Sequence, residues 1–395
     1  MRILLVGDYP NDPRLGSTKV FVKLQEEFRT LGHTCDMLLA DDLGLRPRNR
    51  FARWLVEPIA ALAAVRQAVR KSGPYDIVDV ASAEGLWLAV LRRARRSWGP
   101  PSGGPTAIIA RSNGLEHLNY QRMLDDDAAG LRRKPLTRRW WYPAIRLSQV
   151  ALAARLADRL IVLNELDREF AVSRGWKPSA AIDLVEHGVS TRFLIDAPKA
   201  DHPRGRGILF CGTWDHMKGI HYLAAAFSRL VLEGRTSNLT ILGGGVPQAS
   251  IRAGFSTDAQ RYLTIVDRVS EAEVIAAYRE HDVMAFPSTY EGFGMVLLEA
   301  MTQRLPVVST PVGCALALVS HERTGLVVPC RDADALAAAL GRMLDDRALR
   351  TSLAERAFDK VREMTWTRSA TATLAVYERA RDRRASSETP SLKAP

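Results

Sequence analysis

No uncharged apolar run in this sequence approaches the roughly 20 residues that a membrane-spanning helix needs. The apolar stretch 150–163 is broken by Arg155, Asp158 and Arg159. The apolar start from Met1 to Val6 meets Gly7-Asp8 at once, too soon for the core of a signal peptide, and reads as a first β-strand. The expectation is a cytoplasmic protein, able to rest on the inner face of the plasma membrane but not to cross it. Cysteine is scarce: Cys35, Cys211, Cys314 and Cys330 are scattered, without a C-x-x-C pair or a neighbouring histidine cluster. This argues against a disulfide framework or a zinc ribbon and fits free thiols in a reducing compartment. No G-x-G-x-x-G follows the first strand, which disfavours a dinucleotide-dependent dehydrogenase. Nor does any repeat appear at the periods of solenoid proteins.

What is present is an ordinary soluble composition. The 395 residues are 47% hydrophobic and 25% charged, enough for two or three packed domains. The net charge of +11 is uneven: residues 1–195 carry 30 Lys and Arg against 21 Asp and Glu, whereas 196–395 carry 25 against 23. The first half therefore faces something acidic, such as a membrane surface, a nucleic acid or an anionic substrate. Its basic residues cluster beside aromatic ones. Arg132-Arg133-Lys134 and Arg138-Arg139 run into Trp140-Trp141-Tyr142, and Arg92, Arg93, Arg95 and Arg96 precede Trp98. That mixture suits the interface of an anionic bilayer. Nucleic-acid surfaces use similar residues, and a solvated basic face over core tryptophans is the plain alternative. The membrane surface is the partner expected, and nucleic acid is not.

Short apolar strands alternate with helical patterns almost throughout. Strands are predicted at 2–6, 76–80, 106–110, 159–163, 207–211, 239–242, 263–266, 283–286 and 306–309. Helices are predicted at 17–31, 220–232, 271–280, 296–303, 334–344 and 349–361, the first with Val20, Phe21, Leu24, Phe28 and Leu31 on one face. This alternation argues for parallel sheets covered by helices on both faces. It pauses at 196–207, which holds two prolines, two glycines and charged residues. The organisation expected is an N-terminal domain over 1–195, a linker at 196–206 and a C-terminal domain over 207–370. A helix at 371–385 would pack back on the first domain, and a Ser/Pro-rich disordered tail would follow at 386–395.

The most specific segment is Pro287-Ser288-Thr289-Tyr290-Glu291-Gly292-Phe293-Gly294-Met295-Val296-Leu297-Leu298-Glu299-Ala300-Met301. A strand runs through a glycine turn into a helix, so backbone amides gather at a helix N-terminus, a ready anion site. Glu291 and Glu299 flank it. A carboxylate can accept hydrogen bonds from both hydroxyls of a diol, so a phosphate cradle between two carboxylates suits a nucleotide sugar. The plain alternative is a tight turn with a surface glutamate. In Phe210-Cys211-Gly212-Thr213-Trp214-Asp215-His216-Met217-Lys218-Gly219, a second strand ends and Lys218 opens a helix, placed to stabilise a departing diphosphate. In Gly7-Asp8-Tyr9-Pro10-Asn11-Asp12-Pro13-Arg14-Leu15-Gly16-Ser17, the first strand leads to the first helix. Arg111-Ser112-Asn113-Gly114-Leu115-Glu116-His117 also follows a strand. In a parallel sheet both loops lie at the ligand-binding edge. Two Asp pairs imitate a D-x-D metal motif. Asp125 and Asp127 read as a charged loop, and Asp332 with Asp334 as a helix N-cap with an acidic first turn. No metal ligand set is expected.

The span from Glu291 to Glu299 resembles the E-x7-E signature of GT-B-fold retaining glycosyltransferases, in particular family 4. The resemblance continues through Leu305-Pro306-Val307-Val308-Ser309-Thr310, Val312-Gly313, Thr324-Gly325-Leu326-Val327-Val328-Pro329 and Trp366, and upstream through Glu186-His187-Gly188-Val189 and Phe193. It covers 150–370 well and the first 150 residues loosely. It implies an α/β protein of two tandem Rossmann-like, doubly wound domains facing a cleft. The activity implied is hexosyl transfer, with retention, from a nucleotide diphosphate sugar to a hydroxyl of a glycan or lipid-linked acceptor, in cell-surface glycan or glycolipid biosynthesis. No metal or other cofactor is implied. Glu291 would contact the donor sugar, Glu299 the ribose diol, and the amides of Phe293, Gly294 and Met295 the diphosphate. Lys218 would stabilise the leaving charge, and Gly16 would border the donor phosphates.

Two positions depart from the family pattern: Thr213 stands where many members carry Arg, and Asn113 where they often carry His. His117, Arg111 and Arg14 are further candidates for acceptor or sugar contact. The rival readings are a nucleotide-sugar epimerase on the same fold and a non-catalytic nucleotide-sugar-binding protein. A phosphorylase would need a pyridoxal-bearing lysine site, and none is identifiable.

Overall fold

The computed structural model describes residues 1–12, 15–44, 47, 49–94, 106–131, 135–195, 197–199, 202–235, 237–267 and 269–388. Arg14, Arg95, Arg96, Trp98, the triplet 132–134 and residues 389–395 therefore lie outside the described residues.

The chain forms two compact units, 1–187 with 366–395 and 188–365. The first holds β1 (Arg2–Val6), β2 (Thr34–Leu38), β3 (Ile77–Ala81), β4 (Ala107–Arg111), β5 (Arg159–Val162) and β6 (Ile182–Leu184). The second holds β7 (Ile208–Cys211), β8 (Leu239–Leu242), β9 (Leu263–Val266), β10 (Val283–Phe286), β11 (Val307–Ser309) and β12 (Leu326–Val327). Each set makes one six-stranded sheet, ordered β2-β1-β3-β4-β5-β6 and β12-β11-β10-β7-β8-β9. Every strand pairing is parallel. Both units are Rossmann-like. Their central strands are buried on both faces, as in β3, β4, β8 and β10, which is why they read as unbroken apolar runs.

The helices follow from amphipathic faces. Gly16–Thr30 buries Val20, Phe21, Leu24 and Phe28, each contributing about 1.5–3 kcal/mol relative to exposure. Leu31, expected on that face, falls past the helix end and is exposed. The helix Trp366–Glu388 belongs to the first unit. There Tyr377 packs on Phe28 with ring centroids 5.7 Å apart and donates to Asp79 at 2.6 Å. It runs past the 371–385 read from the sequence. The units divide at 187/188 and 365/366, ahead of the boundaries 195 and 370. The short helix Thr191–Ile195 is tied into the second unit by a hydrogen bond from Gln303 Nε2 to the Phe193 carbonyl, and Val189 N–H donates to the Met364 carbonyl at 2.9 Å.

One expectation is corrected here. Asp125 and Asp127 lie in the helix Glu116–Ala128, not in a loop. Acidic residues near a helix C-terminus oppose its dipole, so the sequence pattern there resembles a loop. Asp332 does cap the helix Ala333–Asp345, accepting from the Ala335 amide at 2.8 Å.

Candidate functional site

In the second unit the strand order reverses between β7 and β10, which are paired neighbours although β8 and β9 separate them in sequence. In open α/β sheets the loops at the carboxyl ends of such a pair form the ligand crevice. Here they are 212–219, carrying Lys218, and 287–294, carrying Glu291.

The two loops lock together through backbone contact. The Asp215 carboxylate caps the short 3-10 turn His216–Lys218 by accepting from the Met217 amide. The Met217 carbonyl in turn accepts from Thr289 N–H at 2.8 Å. Gly219 follows with φ +71, and a Cβ there would lie 1.9 Å from the Pro287 carbonyl oxygen. Only glycine permits that approach. Lys218 Nζ then meets Glu291 Oε1 at 2.6 Å, with side-chain exposures of 17% and 6%. Ser288 Oγ donates to the same oxygen at 2.8 Å. Glu291 is thus fixed by two donors, while Lys218 keeps one side toward solvent.

Gly294, in the left-handed region at φ +94, starts the helix Met295–Thr302 without a side-chain cap. A helix start carries backbone amides without intrahelical partners and the positive end of the dipole. Phe293 is buried, and its carbonyl accepts from the Cys314 amide at 2.6 Å. Glu299 lies buried inside the helix, where Oε2 accepts from the Tyr278 hydroxyl at 3.3 Å. Thr213 is exposed in the loop after β7. Ser288 and Tyr278 escaped the sequence reading. Ser288 stands in the motif with no spacing to mark it, and Tyr278 looks like an ordinary core aromatic.

The first unit holds a second group. A cavity of about 290 Å³ lies at the carboxyl ends of β1, β3 and β4, and Tyr9, Glu84, Asn113, Glu116 and Arg146 line it. Arg146, in the helical turn Tyr142–Leu147, has all three nitrogens engaged. Nε donates to Glu116 at 3.2 Å, Nη1 to Glu57 at 3.1 Å and Nη2 to Glu84 at 3.0 Å. Arg53 bridges Glu57 and Asp8, the latter at 2.6 Å. Burial pushes the Glu57 carboxyl up to about 7 and raises that of Glu84. Burial would also raise Glu116, but Arg146 and hydrogen bonds from Ser82 and Tyr142 hold it below its ordinary value. Of this cluster only Asp8 and Glu116 fell within a segment singled out from the sequence.

Asn113 Nδ2 donates to the Tyr9 hydroxyl at 2.9 Å, and its Oδ1 is buried without a partner. Arg111 is buried, with Nε and Nη2 on Asp79 at 2.9 and 2.6 Å, so its charge is turned into the core. His117 packs against Phe170 and Trp176, and burial pushes it down to about 4, leaving it neutral near pH 7. Gly16 is exposed at the start of its helix, and a Cβ there would meet nothing within 4 Å. Lys218, Glu291, Gly294, Met295 and Glu299 thus share one unit, and Asn113, Arg111, His117 and Gly16 the other.

No group of three or more His, Cys, Asp or Glu side chains arranged to hold a metal occurs among the described residues. No helix among them is long and apolar enough to cross a membrane. The four cysteines are free thiols, two of them buried.

Residues 205–346 match the family model described as Glycosyl transferases group 1. The chain is 32% identical over 264 residues to a D-inositol 3-phosphate glycosyltransferase of Kineococcus radiotolerans, covering 60% of this chain and 61% of that one. It is 34% identical over 215 residues to a phosphatidyl-myo-inositol mannosyltransferase of Mycolicibacterium smegmatis, covering 52% and 55%. The matches thus span about six-tenths of these relatives or less. Among solved structures, the sucrose-phosphate synthase of Thermosynechococcus elongatus superposes with a TM-score of 0.76 at 23% identity, covering 96% of this chain and 99% of that one. That likeness carries the two-unit GT-B fold. Over residues 205–346 the chain is similar to the glycosyl transferases group 1.

Proposed function

We propose that this chain is a retaining glycosyltransferase of family 4 that transfers a hexosyl group from a nucleotide diphosphate sugar to an acceptor hydroxyl. One observation carries the reading: the Lys218–Glu291 pair sits at the strand-order reversal, in the loop that leads to an uncapped helix N-terminus. On this reading the diphosphate lies against the amides of Phe293, Gly294 and Met295. Lys218 turns from Glu291 to the leaving phosphate, and Glu291 accepts hydrogen bonds from donor-sugar hydroxyls. Glu299 takes the ribose diol, with Tyr278 holding its carboxylate from behind. Charge that develops on the leaving phosphate meets a lysine and a helix dipole already in place, which is where electrostatic stabilisation is most effective. The acceptor attacks from the face the phosphate leaves, and that phosphate takes its proton. Thr213, exposed in the loop after β7, borders the donor. No metal enters the scheme.

The acceptor is a glycan or a lipid-linked sugar, and the enzyme works at an anionic membrane surface in cell-surface glycan or glycolipid synthesis. An exposed apolar ridge in the first unit supports this placement. Phe51, Leu55 and Ile59 recur along one side of the helix Arg50–Ser72, and Phe51 meets Trp141 of the helix Leu136–Trp141 edge-on at 5.7 Å, beside exposed Trp140. Arg138 and Arg139 stand next to it.

The test is a thermal-shift screen of the protein against UDP-, GDP-, ADP- and dTDP-sugars, followed by a transfer assay with the donor that binds. A ligand specific to the folded state raises Tm by mass action. Stabilisation by none of the four would remove the reading.

A further inference from the structure

The cavity of the first unit carries more information than its position. At about 290 Å³ it has room for one sugar-sized ring. Its hydrogen-bonding groups are unbalanced. A guanidinium recognises phosphate through an open fork of parallel N–H groups, and neither arginine lining the cavity offers one. Arg146 is engaged on all three nitrogens, and Arg111 has its Nε and Nη2 on Asp79. Acceptors, by contrast, are in surplus. Asn113 Oδ1 is buried and unpartnered, with the amide oriented by its bond to Tyr9. Asp8, Glu84 and Glu116 line the cavity with carboxylate oxygens, each able to accept more than one bond. Among the described residues the cluster sets Asp8, Glu57, Glu84 and Glu116 against Arg53 and Arg146. A phosphate entering the cavity would meet these acceptor oxygens and no open guanidinium fork.

One further feature marks the cavity as built for a ligand. Ser82, at its wall, is held at φ +51, a conformation that L side chains rarely adopt, with its hydroxyl bound to Glu116. Such strain persists only where surrounding contacts enforce it, and it concentrates at ligand sites.

We infer that this cavity binds a neutral polyol ring free of phosphate, and that the acceptor presents such a ring. The acceptor role rests on the glycosyltransferase reading above; the polyol specificity of the cavity does not. It sets this chain apart from a relative named for inositol 3-phosphate. The polyol's hydroxyls donate to Asn113 Oδ1 and to Glu84 and Glu116.

The experiment is isothermal titration of the full chain, saturated with whichever nucleoside diphosphate binds it, or alone if none does. The probes are methyl α-glucoside and myo-inositol, then glucose 6-phosphate and inositol 3-phosphate. The neutral rings should bind, and their phosphates should bind at least about tenfold more weakly, a difference of about 1.4 kcal/mol. Glu116→Gln should narrow that gap. Because Glu116 also supports Arg146, Asn113→Leu is a second variant that keeps the ion cluster and should weaken the neutral rings by about tenfold through loss of one acceptor. Phosphorylated rings binding as tightly as neutral ones would overturn the inference. So would a neutral-ring affinity unmoved by Asn113→Leu, or a protein that binds nucleotide but no ring. Failure of every nucleotide to bind strikes the glycosyltransferase reading instead, and the ring titrations still decide the cavity.

Discussion

Gly219→Ala tests how the Lys218–Glu291 pair is held. The added Cβ would lie 1.9 Å from the Pro287 carbonyl oxygen and 2.7 Å from its carbon, and contacts below 3.0 Å essentially never occur. Backbone must therefore part by more than 1 Å between the loop after β7 and the end of β10. The left-handed φ of +71 adds about 1–2 kcal/mol for an L residue, and forcing atoms into a packed site about 1–3 kcal/mol more. The second unit should lose about 2–5 kcal/mol, each kilocalorie lowering its Tm by about 2–4 °C. A displacement near 1 Å at the reacting groups can cost about 100-fold in rate, so turnover should fall even where the variant remains folded. Gly16→Ala is the control. Nothing lies within 4 Å of its Cβ position, so stability should hold, or rise by the few tenths to about 1 kcal/mol that a compatible Gly→Ala change gives. Calorimetry and a donor-turnover assay on both variants decide the matter. A Gly219→Ala protein with unchanged Tm and turnover would refute the packing argument and the pairing built on it.

Glu291→Gln and Lys218→Ala should each lower turnover by about 100-fold or more, on the scale of losing one charge-stabilising group, while Glu299→Ala mainly weakens nucleotide binding; near-full activity in both of the first two would show the site to be misassigned. Activity should survive EDTA, since a lysine and a helix N-terminus supply the positive charge, and loss restored by Mn²⁺ or Mg²⁺ would count against the mechanism. Co-sedimentation with vesicles containing anionic lipid should fall with rising salt and fall again for Phe51→Ser with Trp141→Ser, whereas equal sedimentation of wild type and variant would leave a soluble acceptor. Burial pushes His187 down to about 3. The unfolded chain takes up that proton below its ordinary value near 6.5, so stability should decline from pH 6.5 downward, by about 2 kcal/mol at pH 5. Urea titrations across that range should show a flatter profile for His187→Gln, and an equal slope would refute the assignment.

The strands that escaped the sequence reading have something in common. β2, β6 and β12 each lie at the edge of a sheet and are short or only partly buried along their length. An edge strand is shielded on one side only, so it carries no unbroken apolar run to betray it. β9, also at an edge, was readable because Leu263–Val266 is bounded by a charged turn and a helix cap. Central strands and the longer helices of the second unit were predictable to within a residue or two, because extended burial writes itself into composition, whereas the short helices Thr191–Ile195, Gln248–Arg252 and Ala315–Leu318 were not read.

The sequence by itself determined the local chemistry: a glycine turn at a helix start, two glutamates on either side of it, and a lysine before a glycine. Each depends on neighbours a few residues away, where spacing is conformation. Only the tertiary structure decided which of these groups meet. Lys218 and Glu291 stand 73 positions apart and come within 2.6 Å because β7 and β10 are adjacent in the sheet. The carboxylates at positions 8, 57, 84 and 116 gather around Arg53 and Arg146 from four separate segments. No spacing rule relates them, because strand order and helix docking, set by burial of the whole sheet, fix which loops share an edge.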